Sequence, residues 1–260
     1  MSDIDNRIEF AKRLAVESGD LLMKRFGGRQ EYRSKSHRET VTDADIESEE
    51  HILRRIENEF DEPVLSEELN PNAKIPGPLW IVDPLDGTNN FASGFPFFSV
   101  LIAFAQDGET KLGIVHDPLR GETFWANGKK SFVNDTRISV SGTKKLDLAL
   151  AATGFPYNRS GSNESNLENF VRVTMAVRGI RRAGSAGLDL AYTAAGIFDI
   201  YWELGLKPWD IAAGELIVRC AGGKTGLFDG SPWKIGRDRV LAANPALFTK
   251  VSNLLVNADL

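Results

Sequence analysis

Apolar positions in the first part of the chain recur at helical spacing. Ile4, Ile8, Ala11, Leu14, Ala15, Leu21 and Leu22 fall on one face of a helix predicted over residues 4–26. The next stretch, GGRQEYRSKSHRET, begins with glycines and is crowded with charge, which predicts an exposed loop. A second helix is predicted from Thr42, with Ile46, Leu53, Ile56 and Phe60 spaced for one buried face. EPVLSEEL then reads as a short strand ending in Ser66-Glu67-Glu68. Trp80, Ile81 and Val82 form an apolar run with β-branched residues, as a buried strand requires. Asp83-Pro84 is expected to end its pairing, because proline lacks the amide proton a ladder needs.

From residue 97 the pattern changes to apolar runs punctuated by turn-forming clusters. FFSVLIAFAQDGETKLGIVHDPLRGETFWA therefore predicts an antiparallel meander, turning at QDGE and PLRGE. The second half mixes strands (LALAAT, IRRAG, VLAAN) with helices around 167–177, 210–221 and 246–255, and Pro245 suits the first turn of the last. No repeat, low-complexity tract or shift in composition marks a boundary. The expectation is a layered α/β protein with two sheets, a single domain over residues 1–260.

With 260 residues, 42% of them hydrophobic, the chain has ample material for a core. Its net charge of −5 argues against a nucleic-acid or anionic-membrane surface. A phosphorylated substrate would accordingly need local positive charge, from a metal or an amide-lined pocket. The single cysteine, Cys220, lies at helical spacing among Ile217, Val218 and Ala221; it reads as packing and fits a reducing cytoplasm. The polar, acidic start MSDIDNRIEF is unlike a signal peptide, and no apolar run is long enough to span a membrane. The sequons at Asn134, Asn158 and Asn163 are then chance matches.

Several familiar chemistries fail on residue grounds. His37, His51 and His116 are too scattered for a histidine-based zinc site. DADIESEE starts like a calcium loop but has Ser48 where glycine is needed. AGSAG has Ala183 where a nucleophile elbow requires glycine, and no histidine is arranged to help Ser185.

What remains is a set of acids at the ends of apolar runs: Glu67 after PVLS, Asp83 and Asp86 after WIV, and Asp210 after LGLKPW. Carboxylates at the edge of a core are rare unless paired or metal-bound. A ligand set made only of oxygens suits a hard cation, Mg²⁺ above all. The i, i+3 spacing of Asp83 and Asp86 across a proline-fixed turn lets both converge and turns the Leu85 carbonyl inward. Gly87 and Thr88 free the backbone for close approach, and the turn leads into a helix start whose amides suit phosphate. The same segment is also readable as a solvent-exposed Asx-turn.

SEE at 66–68, DPLDGTNNF at 83–91 and WDIAAGELI at 209–217 together resemble the signature segments of the inositol monophosphatase family, Mg²⁺-dependent and lithium-sensitive sugar phosphatases. ETVTDAD at 39–45 and GSAGLDLAYTAAG at 184–196 extend the resemblance over essentially the whole chain. It implies a five-layer αβαβα sandwich of the inositol monophosphatase and fructose-1,6-bisphosphatase type, assembled as a cytoplasmic homodimer. It implies that Glu67, Asp83, Asp86, Asp210 and the Leu85 carbonyl hold two or three Mg²⁺ ions, with Asp83 bridging and Glu67 serving the loosest ion. Gly87 and Thr88 would hold the phosphate, and the Thr88 hydroxyl, backed by Asp45, would position the attacking water. Gly184, Ser185, Ala186 and Glu203 would face the alcohol, and Lys35 would lie on a mobile flap, revising the plain-loop reading of that stretch. The implied reaction is hydrolysis of inositol monophosphate. Fructose 1,6-bisphosphate, histidinol phosphate and nucleotide bisphosphates stand as alternative substrates, a bisphosphate needing a second cationic pocket for which Arg172, Arg181, Arg182 and Lys207 are candidates. A metal-binding regulatory or scaffold protein is the alternative from another class.

Overall fold

In the computed structural model, residues 3–27, 32–34, 40–72, 77–157 and 165–256 are described. Helix α1 (Asp3–Arg25) forms where the apolar stripe predicts it, with acids in its first turn and bases in its last, as the helix dipole favours. Its stripe is wider than predicted: Phe10 and Arg7 are buried too, and the Arg7 guanidinium lies over the Phe60 ring at 4.4 Å while pairing with Glu62. The stretch predicted as a loop contains two short strands, β1 (Tyr32–Ser34) and β2 (Thr40–Thr42), paired antiparallel. Helix α2 (Asp43–Glu57) starts on a capping box in which Thr42 and Asp45 satisfy each other's end of the helix. Ile46 is only half-buried, and Phe60 packs from beyond the helix end.

Seven strands follow in sheet order: β3 (Val64–Ser66), β4 (Leu79–Asp86), β5 (Ser99–Gln106), β6 (Glu109–Asp117), β7 (Glu122–Ala126), β8 (Ser131–Val133) and β9 (Thr136–Arg137). The predicted meander from β5 to β7 is present and continues through β9. β4 does not stop at Pro84 but resumes to Asp86, and the missing amide appears as a register shift between Asp83, opposite Leu101, and Asp86, opposite Ser99. The short helix α3 (Thr88–Ser93) follows from Gly87.

The second sheet is ordered β11-β10-β12-β14-β13, from β10 (Leu150–Thr153), β11 (Gly179–Arg181), β12 (Ile200–Leu204), β13 (Lys224–Gly226) and β14 (Arg239–Ala243). Helices α4 (Leu167–Ala176), α5 (Ala186–Ala194), α6 (Pro208–Cys220) and α7 (Pro245–Val256) complete the chain.

Alternation along the strands builds the layers. On β5, Val100, Ile102 and Phe104 face α1 and α2, while Leu101, Ala103 and Ala105 face α5 and α6. On β12, Ile200, Trp202 and Leu204 join the core under α7, and Tyr201 faces the middle layer. The result is an αβαβα sandwich: α1 and α2, the seven-stranded sheet, α5 and α6, the five-stranded sheet, then α4 and α7.

Candidate active site

The ends of β3, β4 and β12 and the starts of α3, α5 and α6 surround a cavity of ≈ 700 Å³. Glu67, Asp83, Asp86, Thr88, Glu203 and Asp210 all line it, so acids spread over more than 140 residues of sequence reach one cleft. Leu85, Gly87, Gly184 and Ala186 line it as well. Lys35 falls outside the described residues.

Each acid is placed by a local device. Pro84 breaks the β4 ladder, leaving Asp83 Oδ1 to accept from the Leu85 amide at 3.0 Å. Asp210 sits in the first turn of α6 and accepts from the Lys207 amide at 2.7 Å. Asp45 Oδ2 accepts from the Thr42 amide and hydroxyl, which aims Oδ1 at the Thr88 hydroxyl, 2.8 Å away. That hydroxyl also lies 3.0 Å from the Leu85 carbonyl; it has one proton, so the two acceptors compete for it. Gly87 has φ +95°, and a Cβ there would stand 3.1 Å from the Phe97 carbonyl oxygen, so the turn requires glycine.

The segment DADIESEE, which fails as a calcium loop, is α2, and its inner face braces the site. Ser48 Oγ donates to the Pro84 carbonyl at 3.1 Å, and Glu49 accepts from the Glu68 and Leu69 amides at 2.9 and 2.7 Å. Asn90, which sequence reasoning passed over, donates through Nδ2 to the carbonyls of Phe97 and Ala183 at 2.7 and 2.8 Å. It thereby joins the β4–α3 turn to the segment that starts α5. The doubled Asn after Gly-Thr was the available signal.

Glu203 lies on strand β12, ahead of the turn that leads to Asp210 in α6. It makes no pair with Lys207; its Oε2 accepts from the Tyr201 hydroxyl at 2.7 Å. A Cβ at Gly154 would stand 2.0 Å from Glu203 Oε1, so glycine there makes the room. Ser185 does not line the cleft: it is buried, and its hydroxyl donates to Asp86. Of the candidate cations, Arg182 and Lys207 are exposed on the cleft's lining, Arg181 is exposed on β11, and Arg172 lines a separate cavity with Arg237 and Arg239. Cys220 is half-buried at the end of α6, its thiol pushed up by burial, as packing predicts.

The electrostatics are those of crowded acids. Burial first, and then Glu67, Asp86 and Asp210, push the Asp83 carboxyl well above its ordinary value. Burial and Glu67 do the same to Asp210. Burial raises Asp86 too, opposed by its hydrogen bonds to Ser185 and Gly187. Asp189, behind them on α5, is pushed up by burial and Glu203, and its Oδ1 has no hydrogen-bond partner among the described residues. Among the described residues, Asp83, Asp86 and Asp210 have no ion-pair partner. Nor does any group of three His, Cys, Asp or Glu among them stand at metal-holding distances. Asp83, Asp86 and Asp210 nonetheless line one cavity together. Their all-oxygen donor set, with the Leu85 carbonyl beside it, fits a hard divalent cation that would offset their charge.

Known proteins resemble this chain along nearly its whole length. Residues 3–259 match the sequence model of the inositol monophosphatase family. The chain is 36% identical over 258 residues to an inositol-1-monophosphatase from Synechocystis, covering 98% of this chain and 90% of that protein. It is 37% identical over 251 residues to the Nus factor SuhB of Pasteurella multocida, covering 95% of this chain and 94% of that one. Among solved structures, the inositol monophosphatase of Anabaena superposes with a TM-score of 0.90 at 34% identity, covering 99% and 98% of the two chains.

Proposed function

We propose, on the premise that this chain belongs to the inositol monophosphatase family, that it is a Mg²⁺-dependent phosphomonoesterase acting on inositol monophosphate. One observation carries the reading: Asp83, Asp86 and Asp210, with no ion-pair partner among the described residues, share a cleft with a Thr88–Asp45 hydroxyl–carboxylate pair. Glu67, Asp83, Asp86, Asp210 and the Leu85 carbonyl would hold two or three Mg²⁺ ions. When bound, such ions acidify a water and neutralise charge on the ester phosphate and the departing alkoxide. The chain's own groups do the rest. The Thr88 hydroxyl, donating to Asp45, keeps its lone pairs for a proton of the attacking water and so orients it. The water's oxygen forms the new bond to phosphorus, the bond to the ester oxygen breaks, and the alcohol leaves with a proton. Gly87 and Thr88 would hold the phosphate, while Gly184, Ala186 and Glu203 would face the alcohol, Ser185 acting there only through its neighbours.

Inositol monophosphate is favoured over fructose 1,6-bisphosphate or histidinol phosphate because Glu203 offers a carboxylate to a polyol's hydroxyls. The test is a comparison of kcat/KM for inositol 1-phosphate and nitrophenyl phosphate in the parent and in Glu203→Gln. The expected loss is about 1.5–3 kcal/mol of transition-state binding for the polyol, with the simple ester nearly indifferent. Equal losses would remove Glu203 from the substrate site. We further propose a cytoplasmic, lithium-sensitive, single-domain homodimer. Among the described residues no helix is long and apolar enough to cross a membrane.

A second reading is favoured by the name Nus factor SuhB that relatives carry: a regulatory role through a macromolecular partner. Partner binding that survives Asp86→Asn would support it as a separate role.

A further inference from the structure

Four donors grip the Asp86 carboxylate at the cleft wall. Its Oδ2 accepts from Ser185 Oγ at 2.5 Å, from the Gly187 amide at 2.8 Å and from Ser99 Oγ at 3.2 Å. Among the described residues its Oδ1 accepts only from the Ala186 amide, at 3.2 Å. The donors come from two places far apart in sequence. Ser99 opens β5 directly opposite Asp86 in the ladder, and residues 185–187 are the first turn of α5. Gly187 permits the approach, since a Cβ there would stand 2.3 Å from Leu101 Cδ2 and 3.0 Å from Asp86 Oδ2. Three donors fill Oδ2, whereas Oδ1 keeps a lone pair and belongs to a residue on the cleft wall.

We propose that Ser185 and Ser99 are positioning residues for metal binding: they fix the Asp86 carboxylate so that Oδ1 alone is presented to a divalent cation. This rests on the metal-dependent reading above and adds to it a role for two buried hydroxyls that face no substrate. Both side chains are fully enclosed, so they act on the cleft through the groups they bond, Asp86 and, at 3.2 Å, each other. Ser185 also caps α5, accepting from the Leu188 amide at 3.4 Å, whereas Ser99 caps no helix. The two variants therefore separate a hold on Asp86 from a hold on α5.

The experiment titrates the substrate-free chain with Mn²⁺ alone, as a paramagnetic stand-in for Mg²⁺, and reads free Mn²⁺ by its EPR signal. Thermal melts of each variant are recorded alongside. Ser185→Ala and Ser99→Ala are each expected to weaken binding by about 10- to 100-fold, the usual effect of losing a group that orients a ligand. Ser185→Thr, which restores the hydroxyl, should return toward the parent. Parent-like or tighter binding in both alanine variants would overturn the inference while leaving the proposed function standing. Weakening in Ser185→Ala with none in Ser99→Ala would assign the effect to the α5 cap and overturn it too. If Ser185→Ala does not fold, Ser99→Ala decides. A parent chain that binds no Mn²⁺ would overturn the proposed function itself.

Discussion

Glu203 shows how one side chain records both its burial and its task. Burial foremost, and Asp86, push its carboxyl up to about 7 against the lowering pull of the Tyr201 hydroxyl and Arg182. The folded chain therefore holds this proton more tightly than the unfolded chain, where the group titrates near 4.5. The stability this provides is fully present below about 4.5 and is lost as pH rises through about 7. Glu203→Gln cannot ionise and still offers an acceptor to Tyr201. In metal-free buffer its Tm should exceed the parent's by a margin that widens from pH 5 to pH 8, measured by calorimetry. A margin independent of pH would contradict the burial argument. At this scale the acids Glu67, Asp83, Asp86 and Asp210 were legible in the sequence because each ends an apolar run. Ser99 and Asn90 were not, because their partners lie across the fold: Ser99 meets Asp86 13 residues away, and Asn90 meets Ala183 93 residues away. Contacts of that range leave no local pattern.

Among elements, legibility follows the layers. Helices α1 and α2 cover one face of a sheet, so each shows a single apolar stripe that periodicity detects. Helix α5 lies between the two sheets; all but one of its nine residues are buried, including Asp189, and it presents no stripe to read. β12 was missed for a related reason: Tyr201, Trp202 and Leu204 are apolar on both faces, and Glu203 interrupts the run. β4 runs on past Pro84 because a bulge absorbs the missing amide, an outcome that proline's general rule does not anticipate. The middle layer is also where packing is tightest. A Cβ at Gly113 on β6 would stand 2.6 Å from the Ala213 carbonyl oxygen and 2.9 Å from its Cα, both backbone atoms of α6. Gly113→Ala should therefore destabilise the chain by about 1–3 kcal/mol in urea unfolding. Gly142→Ala, with nothing within 4 Å, should be near neutral; equal midpoints for the two would contradict this packing.

At the scale of the whole molecule, the outer helix α4 carries an exposed apolar stripe. Leu167, Val171 and Met175 recur every four residues on α4 and are 55%, 60% and 85% exposed. The homodimer we propose gives this stripe a partner, since an exposed apolar face of one helix is suited to covering by a second copy. The double variant Val171→Glu, Met175→Glu should shift the chain toward monomer in light scattering coupled to size exclusion. An unchanged dimer would place the interface elsewhere, and a monomeric parent would refute the dimer.

On the proposed function, the acids of this cleft work only with a divalent cation between them. This requirement is tested most directly by phosphate release from inositol 1-phosphate after EDTA treatment and after Mg²⁺ is restored. Turnover should be abolished by the chelator and recovered with excess Mg²⁺, because crowded carboxylates without a cation repel one another and the phosphate alike. Undiminished turnover in EDTA would contradict the requirement.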